Sequence, residues 1–327
     1  FCNRTVAPDK MSRPSRVAHG LILGDITNMM QIRPIAKPNS VKASPMRVLP
    51  DVEEPLEDPQ LATEYTPDIY AVLSAEEKTR MPRHDYMDGQ PDLNAKMRAI
   101  LVDWLLEVAM KYKLKSETLF SAVSIVDRYL EKRQVPRKKL QLVGVTGMLI
   151  AAKFEEIYPP EIRDFVYITD KAYTKEEVLV MEVSMLTTLE FTICCPSVVP
   201  FFERYQRINN SDDKQRHLVQ YFLELTLPDI KMLRFAPSHL AAAATLLSNK
   251  LLEKQAPMNG RAFGVLPEPQ SNWSPAMIKA TGYTEMMVKN CAKEMCGLVE
   301  SAESSPLQAV HKKFSQPEYN QVAKITF

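Results

Sequence analysis

The sequence predicts an all-α protein made of two helical units in tandem, and three observations carry that prediction. From about residue 61 onward apolar residues recur at i, i+3, i+4 and i+7, and few segments alternate as strands do. The 327 residues include only nine glycines. Two long segments rich in small residues, "QLVGVTGMLIAAK" (141–153) and "HLAAAATLLSNK" (239–250), lie about a hundred residues apart. Small side chains let neighbouring helices approach from several directions, which suits a central helix in each of two five-helix units.

The elements follow in order. Residues 1–60 carry eight scattered prolines, from Pro8 to Pro59, without helical periodicity. Such a segment buries too little apolar surface to offset its conformational entropy, so it reads as a disordered tail with one apolar island, "GLILGDITNMM". In the helix of "MRAILVDWLLEV" (97–108), Met97, Ile100, Leu101, Trp104 and Val108 form one stripe. Val102, Leu105, Leu106 and Ala109 form a second, so either both stripes are core or one stays open. Asp92 or Asn94 can cap this helix, and Ser116 the next, which carries Phe120, Val123, Val126 and Leu130. Pro136 suits the start of a third helix over 137–155, and Pro159 and Pro160 break the chain before a short helix around 161–166. Thr174-x-x-Glu177 is a capping box that opens a helix with Val178, Met181, Met185 and Leu186 on one side. Pro196 ends this unit, and further helices are expected at roughly 197–207, 212–227, 238–254, 274–280, 284–300 and 305–314.

Composition narrows the function. The chain is 45% hydrophobic and 25% charged with a net charge of +1, so no global field points to nucleic acid or anionic lipid. No run reaches the roughly 20 apolar residues of a membrane span, and no signal-peptide pattern opens the sequence. The sequence starts at Phe1 and its first Met is Met11, so the true start is expected to lie upstream. Cys2, Cys194, Cys195, Cys291 and Cys296 make no metal-type CxxC pair, and they read as thiols in a reducing compartment. Phosphate loop, GxSxG elbow, HExxH and Rossmann fingerprint are all absent. The five histidines are scattered, and His239 reads as a packing or capping residue. The acidic cluster in "FEEIYPPE" (154–161) reads as a solvated helix end, because adjacent Glu155 and Glu156 point to different sides of a helix. No catalytic residue, metal or cofactor is assigned.

Several long motifs carry a resemblance. "MRAILVDWL" (97–105), "LQLVGVTGMLIAAKFEEIYPPE" (140–161) and "FVYITDKAYTKEEVLVME" (165–182) resemble the cyclin box of the A/B-type, G2/mitotic cyclins. "SIVDRYL" (124–130) and "YTPDIYAVL" (65–73) fit the same family. The match is strong over 62–196 and weaker over 197–318. "VSIVDRYL" and "VGVTGM" look more B-like and "FEEIYPPEIRDFVYITD" more A-like, with the balance leaning to B. The resemblance implies two tandem five-helix cyclin folds, at 61–196 and 197–318, with a preceding helix near 62–78. A regulatory tail over 1–60 and a short tail over 319–327 flank them.

By the same resemblance the chain is a regulatory subunit, active in G2 and mitosis, that binds and activates a cyclin-dependent kinase. Such kinases need an ion pair between a β3 lysine and a glutamate of helix αC, and a docked cyclin selects the inward position of that helix. Lys153 and Glu182 match the family's paired polar contacts to the kinase, with Phe154, Leu186 and Phe191 as apolar anchors. Tyr65 and Ile69 on the preceding helix would add contacts. Read from the residues alone, Lys153 and Glu182 could equally pair within the fold. The stripe of Met97, Ile100, Leu101 and Trp104 matches a patch that captures Arg-x-Leu motifs of substrates and inhibitors. Leu140 and Gln141 would line its other side, Glu107 would meet the motif's arginine, and Arg137 matches the rim.

The tail island reads "GLILGDITN" (20–28) where the family's destruction box, read by the ubiquitin ligase of mitotic exit, has Arg-x-x-Leu-x-x-Ile-x-Asn. Leu23, Ile26 and Asn28 keep the spacing, but Gly20 stands in place of the arginine that anchors the motif. Lys10, Lys37 and Lys42 are candidate ubiquitin acceptors, and Ser44-Pro45 is a candidate proline-directed phosphorylation site. Nucleus and cytoplasm are the expected locations, with no direct nucleic-acid or membrane partner. A transcription scaffold on the cyclin fold is the alternative, and it would be expected to show a dense basic stripe that this sequence lacks. An all-α enzyme with an unfamiliar site is a third reading.

Overall fold

A computed structural model describes residues 63–255 and 272–325, with side chains through 252 in the first stretch. The described residues are helices, 3-10 turns and connecting loops, without strands. After a 3-10 turn at Thr63–Tyr65 comes α1 (Thr66–Arg80). The first five-helix lobe is α2 (Ala95–Lys111), α3 (Ser116–Lys132), α4 (Leu140–Glu155), α5 (Ile162–Ile168) and α6 (Lys175–Thr188). The second is α7 (Val198–Ile208), α8 (Asp213–Thr226), α9 (Pro237–Gln255), α10 (Pro275–Thr281) and α11 (Glu285–Ala302), followed by α12 (Ala309–Phe314). The tail over 1–60, with Leu23, Ile26 and Asn28 and its lysines, lies outside the described residues.

The two small-residue helices are the centres of the lobes. In α4 every side chain from Leu142 to Ala152 is buried, and in α9 Ala241, Ala242, Ala243 and Ala244 are fully enclosed. Close approach is what the glycines of α4 permit. A Cβ on Gly147 would stand 2.7 Å from Val126 Cγ2, and one on Gly144 would stand 2.6 Å from Leu101 Cδ1. Around α9 pack α7, α8 and α11.

Local signals set most boundaries. Asn94 caps α2 by accepting from the Met97 amide at 3.0 Å. The Thr174 box opens α6, with the Thr174 amide donating to Glu177 Oε2 at 2.9 Å and the Glu177 amide donating to Thr174 Oγ1 at 3.2 Å. Two expectations are corrected. Ser116 does not cap α3; it is the first helical residue, and its Oγ accepts from Gln220 Nε2 of α8 at 2.7 Å. The α3 terminus is served by Glu156 instead, which accepts from the Lys115 amide at 2.8 Å and from Thr118 Oγ1 at 2.5 Å. Glu155 accepts from Ser121 Oγ at 2.9 Å, so the acidic cluster ties the end of α4 to α3 and is not a merely solvated helix end. At the other end of the chain, the stretch expected as a tail from 319 carries a 3-10 turn, Val322–Lys324, whose Val322 is buried.

A buried ion pair joins the lobes. Arg98 of α2 and Asp127 of α3 are each about 1% exposed, and Arg98 Nε and Nη2 donate to the two carboxylate oxygens at 2.7 and 2.6 Å. Tyr86 OH donates to Asp127 Oδ1 at 2.7 Å. Arg98 Nη1 reaches across to the carbonyls of Leu227 and Pro228, at 2.8 and 3.1 Å. Burial alone would lower the Arg98 pKa, but the Asp127 carboxylate outweighs it and the guanidinium stays charged.

Helix α1 is bound to the second lobe. Tyr70 OH donates to the Pro200 carbonyl at 2.8 Å, and the Arg204 guanidinium lies 4.2 Å from the Tyr70 ring centre. Glu77 is buried and accepts from the amide and hydroxyl of Ser238 at 2.9 and 2.6 Å. Burial raises the Glu77 pKa above 4.5, and the Ser238 bonds offset only part of that rise. The folded chain therefore holds this proton more tightly than the unfolded chain does. Glu77 supports folding most below the ordinary carboxylate pKa, and that support is lost as pH rises through its folded value. The stability of the wild type relative to Glu77→Gln is expected to fall between about pH 4.5 and pH 7, measured by urea denaturation at both. A constant difference would show that Glu77 does not titrate differently in the two states.

Candidate functional site

The last turn of α4 leaves the core at Ala152, so Lys153 and Phe154 emerge onto the surface. Helix α6 runs beside it and buries Val178, Met181 and Met185. Its apolar residues exceed that one stripe, so Leu179, Val180 and Val183 face outward. The chain leaves α6 through Glu190 and Phe191, two successive residues with φ of 53° and 55°. This left-handed conformation costs roughly 1 kcal/mol for a residue with a Cβ, and it presents Phe191 outward. Along the ends of α4 and α6 and the loops that follow them, Phe154 is 51% exposed, Ile157 79%, Tyr158 92%, Val180 70%, Val183 64% and Phe191 69%. Isolated surface apolar residues are ordinary, whereas contiguous exposed patches are the kind of feature that interaction sites carry.

At this face Lys153 Nζ donates to Glu182 Oε1 at 2.6 Å, with the two side chains 44% and 12% exposed. The structure thus pairs the two residues with each other and keeps both at the surface. Leu186 is half-buried beside them. Tyr65, immediately before α1, and Ile69 on it are exposed, and Val72 continues their helical stripe. Sequence reasoning passed over Ile157, Tyr158, Val180 and Val183. The signal for Val180 and Val183 was present, since α6 carries apolar residues on two sides.

The second expected surface is partly open. Ile100 is 52% exposed, Met97, Trp104 and Gln141 are half-buried, and Glu107 and Arg137 are exposed. Leu101 and Leu140 are buried, as is Val108. For Leu101 this corrects the reading of an open stripe, because its side chain packs on the Gly144 backbone of α4. The other stripe, Val102, Leu105, Leu106 and Ala109, lies in the core. Among the described residues no group of three or more His, Cys, Asp or Glu is placed to hold a metal ion, and no helix is long and apolar enough to cross a membrane.

Comparisons with known proteins agree with this architecture. The family descriptions "Cyclin, N-terminal domain" and "Cyclin, C-terminal domain" match residues 68–194 and 196–327. A G2/mitotic-specific cyclin-B of Spisula solidissima is 40% identical over 82% of this chain and 59% of its own length. One from Hydra vulgaris is 40% identical over 83% of this chain and 71% of its own. The chain thus spans less than two thirds of the length of several curated relatives it matches. Among solved structures, a viral cyclin from herpesvirus saimiri aligns with a TM-score of 0.59 at 17% identity, covering 73% of this chain and 97% of that one, which speaks for the fold alone. Two family domains in tandem, with relatives at 40% identity over most of the described lobes, place the chain in the cyclin family, among its G2/mitotic B-type members.

Proposed function

We propose that the chain is the non-catalytic, activating subunit of a cyclin-dependent kinase in G2 and mitosis. The observation that carries this reading is the unpartnered apolar face of α4 and α6 with the Lys153–Glu182 pair set in it. Apolar side chains supply affinity there, and the ammonium supplies direction. Glu182 is the less exposed partner, so it holds Lys153 in one orientation, with donors left for backbone carbonyls of an incoming helix. A protein that binds the inward position of the kinase αC helix more tightly than the outward one shifts the population toward the active form. No reactive group of the cyclin takes part in phosphoryl transfer.

The patch around Ile100, Met97, Trp104 and Gln141, with Glu107 at its edge, would recruit substrates and inhibitors bearing Arg-x-Leu. Leu23, Ile26 and Asn28 would form a weakened destruction element for the ubiquitin ligase of mitotic exit. The protein would act in the nucleus and the cytoplasm. The test is a phosphorylation assay with kinase alone, chain alone and both together. Phosphate transfer confined to the mixture supports the proposal. Turnover by the chain alone, or no gain in the mixture, would overturn it.

A further inference from the structure

We propose that the cleft between the lobes is a binding site for a small, uncharged, largely apolar molecule of about one ring. The cleft has a volume of about 110 Å³ and lies where α1, α3, the linker at Cys195–Val198 and the second lobe meet. Its walls are mainly apolar: Phe120, Val123, Val198, Leu233, Phe235 and Leu240 among them. A dry cavity of roughly 150 Å³ is known to take benzene or xenon, which sets the size of the occupant.

The charge state of the walls sets its polarity. Four charged groups line the cleft, and each is hydrogen-bonded within the chain. Arg98 and Asp127 neutralise one another, and the remaining Arg98 donor serves two carbonyls of the second lobe. Glu77 accepts from Ser238 with both oxygens. Arg80 donates to Glu76 at 3.0 Å. An ionic ligand would lose its hydration among mainly apolar walls, whereas a neutral ring loses only apolar exposure to water. One reporter group is built in. The half-buried Cys195 thiol lines the cleft, donating toward the Thr192 carbonyl at 4.0 Å.

The test uses the whole chain carrying Cys194→Ser, since Cys194 is the exposed neighbouring thiol. Benzyl alcohol is the probe, with benzoate and benzylammonium as charged analogues of the same size. Two quantities are read: the melting temperature, and the rate at which iodoacetamide alkylates Cys195, with Cys296 as the internal control. In that reaction the thiolate sulfur displaces iodide from carbon, leaving a thioether and releasing a proton. Benzyl alcohol at tenfold its Kd is expected to raise Tm by roughly 2–4 °C. It should also slow Cys195 alkylation about tenfold and leave Cys296 unchanged. Val198→Leu, which narrows the cleft, should abolish both effects. Equal protection by the charged analogues, or no protection by any of the three, overturns the proposal. So does protection that arises only when a kinase is added, because a partner's side chain would then be the occupant.

Discussion

An Asp127→Ala variant is expected to lose about 3–5 kcal/mol of stability, the usual cost of stranding one member of a buried ion pair. Arg98 is 1% exposed, and its Nε and Nη2 would be left without their carboxylate acceptors. Tyr86 would lose its acceptor as well. Set against a typical total of about 5–15 kcal/mol, this is enough to unfold a large share of molecules at physiological temperature. The loss should reach the second lobe, because Arg98 also holds the Leu227 and Pro228 carbonyls. Urea denaturation followed by circular dichroism reads the effect. A loss below about 1 kcal/mol would mean that the pair is wetter than its burial implies. Replacing both members, Arg98→Met with Asp127→Leu, should recover much of the loss, since a buried pair contributes little more than apolar residues of matching volume.

Lys153→Ala is expected to act in the opposite way, with a large effect on kinase activation and almost none on folding. The Lys153–Glu182 pair is solvent-accessible on the lysine side, and such pairs contribute about 0–1 kcal/mol to stability. Once covered by a partner the same charges are desolvated. Removing one then costs about 2–4 kcal/mol, roughly 30- to 1,000-fold in affinity. The check is a kinase activation curve against cyclin concentration, paired with a thermal melt of the free variant. Normal activation by Lys153→Ala would remove this residue from the interface.

What the sequence made legible follows from the kind of signal each feature left. Both central helices announced themselves through runs of small residues, and the structure shows α3 approaching Gly147 of α4 closely and Ala241 to Ala244 of α9 fully enclosed. Capping signals succeeded where the partner was local, as at Asn94 and Thr174. They failed at Ser116, because the group that serves the α3 terminus is Glu156, forty-one positions away from Lys115. The same limit hid the lobe junction. Arg98 and Asp127 stand in quoted motifs, yet nothing in their spacing says that they meet each other and the Leu227 carbonyl. Of the proposed docking face, Lys153, Phe154, Glu182 and Phe191 were read from family likeness. The outward valines of α6 were not, since an apolar residue on a helix reads first as core. Leu101 erred the other way: a stripe at helical spacing does not reveal that a glycine of α4 will take one of its members inside.

On the proposed assignment one face of this cyclin, and no other apolar patch, holds the kinase. Two aspartate substitutions separate these cases: Val183→Asp, at a residue 64% exposed on the α6 face, and Met286→Asp, at one 83% exposed on α11. Neither should disturb folding, because both side chains already stand in solvent. Binding of each variant to a purified mitotic cyclin-dependent kinase, measured by titration calorimetry, should show at least a hundredfold loss for Val183→Asp, about 2.7 kcal/mol, and none for Met286→Asp. Equal affinities for the two, or a loss confined to Met286→Asp, would contradict the assignment.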